Sequence, residues 1–232
     1  IAKLKDVKFY EGLGSVYDKT QRLRKLSGML ADEFNLNKEK AEIAASISKS
    51  DLCSDLVNEY PDLQGLLGKY FALSQGFEED VSNAVSDHYL PLGNNSMTSK
   101  KPISYIVAIS DKIDTLVGFF LINEKPTSSK DPFALRRSAI GLLRTIIDNK
   151  LNLKLRNLIS YNIKLLEEQG VRKTNENSEN EILNFLKERM KNILKDKNIK
   201  NDIIEASISS YFSDNYFDLY KKNTLMNKYI NK

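Results

Sequence analysis

A chain of 232 residues with 41% hydrophobic and 28% charged residues has material for a packed core and the polarity of a globular protein. One cysteine and one histidine exclude an internal disulfide, fit a reducing cytoplasm and leave too few ligands for a zinc site. The net charge of +4 is compatible with a nucleic-acid partner without arguing for one.

No apolar run approaches the roughly 20 residues of a membrane-spanning helix; the longest, residues 116–122, is interrupted by Gly118. The chain opens on Ile1 and a charged stretch, with no initiator Met and no signal peptide. An excised or processed fragment is the expectation.

Nearly every element reads as helix. Residues 7–9 are the best candidate for a short extended piece, followed by a turn at Leu13-Gly14-Ser15. Ser15 is expected to cap a helix running to about Glu33. Asn37 is expected to cap the next, residues 40–57, with Ile43, Ile47, Cys53 and Val57 at apolar positions. Cys53 is therefore expected to be a buried thiol. Tyr60-Pro61 ends that helix. Residues 62–73 form another, with Leu63, Leu66, Leu67 and Tyr70 on one side, and residues 78–88 a short amphipathic one ended by Pro91 and Gly93.

After a polar loop at 94–101, residues 103–122 form the most apolar and most buried helix. Asp131 and Pro132 are an N-cap and a first helical residue. The helix they start carries apolar residues at 139, 142, 143, 146 and 147. Arg137, Gly141 and Arg144 then lie on the opposite face, and the glycine leaves a gap where a phosphate backbone could approach. Arg136, nearer the apolar face, is expected to pair with an internal carboxylate. A helix at 153–169 follows a break at 149–152, and the polar run 170–179 marks a domain boundary. Two further helices are expected at 181–194 and 200–209, before an aromatic and lysine-rich end at 211–232. Neither GxxxxGK[ST] nor GxGxxG occurs, and one histidine without a nucleophile elbow gives no hydrolytic triad.

The run PTSSKDPFALRR (126–137), preceded by SDKIDTLVGFF (110–120), resembles the β subunit of bacterial heterotetrameric glycyl-tRNA synthetase. KLKDVKFYEGLGSVYDKTQRL (3–23), KSDLCSDLVNEYPDLQGLLGKY (49–70) and DHYLPLG (87–93) resemble it too, in the same order. Residues 17–118 are also similar to the HD superfamily of metal phosphohydrolases. There an early His, a His-Asp doublet and a later Asp hold metal ions that activate water. Asp111 matches the late aspartate, but Lys19 stands where the early His is expected. The doublet region AASISKSD (44–51) has no His, and Lys49 falls close to the doublet. A lysine there repels a cation, so Asp111 and Asp114 are expected to be structural. Lys112, Arg136 or the N-terminus of the Asp131 helix would be their partners. Residues 185–208 are similar, through Arg189 and 202–206, to the opening of helical anticodon-binding domains.

These resemblances imply an all-α fold: an HD-like bundle at 1–170, a linker at 171–180, and at 181–232 the start of an anticodon-binding-type domain. They imply a cytoplasmic α2β2 enzyme joining glycine to tRNA-Gly, with ATP and magnesium used at the α subunit. This chain would bind and position tRNA, with no catalytic residue, metal or cofactor of its own and no DNA or membrane partner. Phosphate contacts are expected from Lys69, Lys130, Arg137 and Arg144, and base contacts from Gln64, Tyr70 and His88. A metal-dependent phosphohydrolase acting on a nucleotide and a purely structural module of the synthetase are the alternatives.

Overall fold

The computed structural model describes residues 1–93, 96–127, 129–210 and 214–230. The loop expected at 94–101 lies partly outside them, as do residues 211–213 of the aromatic stretch.

A short hairpin, β1 (Lys8–Tyr10) against β2 (Gly14–Ser15), leads into α1 (Val16–Glu33). Ser15 starts α1 as expected: Asp18 N donates to its hydroxyl at 3.2 Å, and Ser15 N donates to Asp18 Oδ2 at 2.8 Å. This reciprocal cap satisfies two orphan donors. It needs Gly14, whose φ is +80° and where a Cβ would lie 2.7 Å from Asp18 Oδ2.

Asn37 caps α2 (Lys38–Ile47), its Oδ1 accepting from Lys40 N at 3.0 Å. The helix expected over 40–57 stops at Ile47. The hydroxyls of Ser48 and Ser50 turn back onto the carbonyls of Ala45 and Ile47, each at 2.8 Å, offering the backbone an alternative to the helical ladder. A 3-10 turn at Ser50–Cys53 and a separately capped α3 (Asp55–Glu59) follow. Cys53 is accordingly part-exposed and free, not buried.

In α4 (Leu66–Ser74) the buried positions are Gly68 and Ala72, while Leu66 and Tyr70 are 46% and 58% exposed. Leu63 and Leu67, expected on the same side, are only part-buried. The small residues face inward because a Cβ on Gly68 would lie 2.7 Å from Val85 Cγ1 of α5 (Glu79–Asp87).

The central element is α6 (Pro102–Leu121), buried over most of its length as its composition demands. Next come α7 (Leu135–Asp148) and α8 (Leu155–Glu168). Last in the chain are α9 (Ser178–Asp196), α10 (Asn201–Ser210) and α11 (Tyr216–Ile230). Helices α1, α2, α5, α7, α8 and α9 all pack on α6.

Asp131 caps α7, but from further away than expected. Its carboxylate accepts from Leu135 N at 2.8 Å and Arg136 N at 3.0 Å. Pro132 is not the first helical residue, because Ala134 turns with φ +53°, placing the Phe133 ring 4.2 Å from that of Phe119. The predicted 171–180 segment is tied to α6. Thr174 N and Asn175 N donate to Leu121 O at 3.0 and 3.2 Å, and Asn175 Nδ2 to Phe120 O at 3.2 Å. One core runs through it, from Leu13 to Leu219. The fold is all-α, with eleven α-helices and one two-stranded sheet among the described residues.

Candidate functional site

Four segments bring charged side chains together inside the bundle. α1 supplies Lys19 and Arg22, three residues apart on one face; α6 supplies Asp111, Lys112 and Asp114; the turn after α2 supplies Lys49; the end of α5 supplies His88. The Lys19 ammonium lies 3.0 Å from Asp111 Oδ1 and 3.1 Å from Asp114 Oδ2. Arg22 grips Asp114 with both Nε (2.6 Å) and Nη2 (3.0 Å), and donates to Gln169 Oε1 at 2.5 Å. Lys49 reaches the other oxygen of Asp111 at 3.0 Å and His88 Nε2 at 2.7 Å, over the Tyr89 ring.

His88 Nδ1 faces the Val85 carbonyl at 2.8 Å, which can only accept. Nδ1 therefore carries the proton, and Nε2 offers its lone pair to Lys49. Burial, reinforced by the charge of Lys49, holds the imidazole well below its ordinary range. Burial alone would raise Asp111, but the ammonium groups of Lys19 and Lys49 outweigh it and keep the carboxylate well below the usual range. Burial also brings Lys112 down to about 8; its ammonium donates to the carbonyls of His88 (3.1 Å) and Leu90 (2.8 Å).

The partners of Asp111 and Asp114 are thus Lys19, Lys49 and Arg22, not Lys112 or Arg136 as the sequence suggested. Arg22 was missed altogether. Its signal was present, since it sits one helical turn from Lys19 and shares its face.

These residues do not fit a divalent cation. Both oxygens of Asp111 face ammonium groups at 3.0 Å, and the one imidazole lone pair accepts from a third-party cation, Lys49. Among the described residues no group of three or more His, Cys, Asp or Glu converges for a metal ion.

The predicted RNA-contact residues are scattered around this cluster. His88 is fully buried with both ring nitrogens committed, which corrects its assignment to base contact. Gln64 donates to the Tyr89 hydroxyl at 2.7 Å. Tyr70 is exposed and Lys69 part-exposed on α4, and Lys130 is exposed in the loop before α7. Arg137 is exposed on α7, and with Arg144 it flanks a small cleft beside Pro91, Leu92 and Gly93. Arg144 donates to Gly93 O at 3.0 Å and Ser96 O at 2.6 Å, so it also braces that loop.

The gap expected at Gly141 is filled. A Cβ there would meet Lys112 Cε at 2.9 Å and Pro91 Cδ at 3.4 Å, leaving no room for a phosphate backbone. Arg136 does not find a carboxylate inside the domain as expected: it lies 3.8 Å from Asp131, the part-exposed cap of its own helix, and donates to the carbonyls of Thr127 and Lys130.

The interior of this all-α bundle is closed by ion pairs, and Lys69, Lys130, Arg137 and Tyr70 lie at its surface. The comparisons with known proteins name its family. Residues 1–209 match the family model described as glycyl-tRNA synthetase beta subunit, and the chain belongs to that family. It is 38% identical over 234 residues to the glycine–tRNA ligase beta subunit of Clostridioides difficile (strain 630), which covers 100% of this chain and 34% of that protein. It is 40% identical over 209 residues to the same-named protein of Colwellia psychrerythraea (90% of this chain, 30% of that protein). The chain thus spans about a third of the length of the curated relatives it matches. No helix among the described residues is long and apolar enough to cross a membrane.

Proposed function

We propose that this chain is the part of a glycine–tRNA ligase β subunit that binds and positions tRNA-Gly. Glycine would be activated with ATP and magnesium on a partner α subunit of an α2β2 enzyme in the cytoplasm. The observation that carries this reading is family membership over residues 1–209. The closed ionic cluster supports it, because side chains locked on one another leave the surface as the place for recognition. Holding the acceptor in register is a contribution of orientation and affinity. An HD-like ancestry fits the same cluster, with Lys19 and Lys49 supplying the positive charge around Asp111.

On this reading Lys69, Lys130, Arg137 and Arg144 contact phosphates, and Gln64 and Tyr70 contact bases. A structural role within the synthetase is the second reading, favoured by Leu56, Tyr60, Leu66 and Tyr70, all about half exposed on α3, α4 and the turn between them.

The test is binding of the chain to labelled tRNA-Gly and to an unrelated tRNA at two salt concentrations, for the parent and for Arg137→Ala. Arg137 is exposed, so its loss leaves the fold intact. Salt-sensitive binding, weakened severalfold in the variant, supports tRNA docking through this face. Retention of an α subunit with no tRNA affinity at low salt supports the structural role.

A further inference from the structure

Helices α2, α5 and α6 pack on one another, and their N-terminal ends surround a cleft of about 580 Å³. Leu36, Pro102 and Ile103 give it apolar surface, and Asn83 of α5 lines it as well. Asn83 is only 5% exposed. Its main-chain carbonyl accepts from Ser86 Oγ at 3.0 Å, but its side-chain amide pairs with no described residue. That amide is not sealed in, as the unpaired amide of Asn162 is; it opens onto the cleft. Buried polar side chains nearly always have a partner, and asparagine is a poor helix former in the middle of α5. A second polar group is unused on α6. Pro102 has no N–H, and Lys101 caps the helix with no side-chain bond. The first donor of α6, Ile103 N, therefore has no acceptor among the described residues.

The charges around the cleft are already balanced. Lys40 holds Glu78 at 2.7 Å and Asp80 at 3.0 Å, and Lys101 lies 3.4 Å from Asp87. Glu79 sits in the first turn of α5, facing the positive end of that helix. A phosphate entering here would meet three carboxylates, and an ammonium group would meet two lysines and three helix N-termini. What stays unmet is hydrogen bonding: a donor and an acceptor on Asn83, and a donor on Ile103.

We propose that this cleft binds an uncharged, extended peptide segment of a protein partner, whose main-chain amides pair with Asn83 and with Ile103 N. A peptide group carries one N–H and one C=O, the complement of a carboxamide. A peptide carbonyl on Ile103 N would supply the cap that α6 lacks. An apolar side chain of the segment would rest on Leu36 and Pro102. The site stands apart from the tRNA-binding reading, which uses none of these residues.

The test follows the amide resonances of the whole chain while the blocked tripeptide Ac-Ala-Leu-Ala-NHMe is added, in the parent, Asn83→Ala and Asn83→Leu. The Asn83 side-chain NH2 and the Ile103 N–H should shift to saturation in the parent. Loss of the Asn83 hydrogen bonds should weaken binding about tenfold in either variant. Thermal midpoints of both variants should equal or exceed that of the parent, because each removes an unpaired buried amide; an asparagine with a purely structural role would move them the other way.

Parent resonances that do not move, or that move without saturating, overturn the proposal, and they are read even where a variant does not fold. So does an unchanged affinity in Asn83→Ala. A shift with uridine monophosphate and not with the tripeptide makes the cleft a nucleotide site and overturns it too. Lower midpoints in both variants, with no response in the parent, make Asn83 a structural group.

Discussion

Replacing Asp114 by Asn tests whether the buried cluster holds the bundle together. Asp114 is fully buried and accepts from Lys19 at 3.1 Å and from Arg22 at 2.6 and 3.0 Å. Arg22 is 1% exposed, so the variant leaves a guanidinium away from water without its counter-charge, with one amide oxygen and Gln169 Oε1 as acceptors and a new NH2 group facing it. Lys19 keeps Asp111 and Thr115. Removing one partner of a buried pair costs about 3–5 kcal/mol. For a chain of this size each kcal/mol is about 2–4 °C in Tm, so the midpoint should fall by roughly 6–20 °C. Circular dichroism during thermal and urea unfolding reads this directly, and the urea midpoint should move at constant slope. The cost should come from the stranded charge, not from the missing contact. Arg22→Met/Asp114→Leu, which removes both charges at similar volume, should therefore recover much of the loss. An Asp114→Asn midpoint within about 2 °C of the parent, or a double variant as unstable as the two single changes summed, would refute the reasoning.

Acidification should expose His88. Buried and faced by Lys49, it stays neutral in the fold well below its usual range, whereas in the unfolded chain it takes a proton near pH 6.5. The unfolded state then binds the extra proton, so stability falls as pH drops below that point, by about 1.4 kcal/mol per pH unit. Urea midpoints between pH 6.5 and 5.5 should show this slope in the parent and lose it in His88→Gln; equal slopes would count against a neutral buried imidazole. Gly141→Ala gains helix propensity of about 1 kcal/mol but drives a methyl to 2.9 Å from Lys112 Cε and 3.4 Å from Pro91 Cδ. Because the Lys112 ammonium is pinned by two carbonyls, the net effect should be a loss of about 1–2 kcal/mol. A stabilised variant would show that the gap anticipated there exists.

What could be read from the sequence is what is settled within a few residues. Ser15, Asn37 and Asp131 each act as a cap, because a cap is chemistry over three to five positions. α6 was legible because its apolar residues need no partner to be named before they are buried. The failures arise where two local preferences compete. The apolar spacing of 40–57 favours one helix, but the hydroxyls of Ser48 and Ser50 take the carbonyls that would continue it. In α4 the large residues promised an inner face, yet the close approach to Val85 of α5 requires a glycine at 68, and Ala72 is the other buried position.

The cluster was harder still, since its bonds join residues 92 and 95 apart in the chain. Composition could say that Asp111 needed a positive neighbour, but not which one. A buried carboxylate must be balanced, by a bound cation or by side chains. Here two lysines from separate segments reach its two oxygens at 3.0 Å, and Lys49 is itself held by His88. A balance built from the chain's own side chains does not depend on an ion taken up from solution. It also removes the free coordination positions on which hydrolysis would depend. Such a cluster can set the spacing of α1, α5 and α6, and the residues proposed for tRNA recognition lie apart from it, on α4, α7 and the loops beside them.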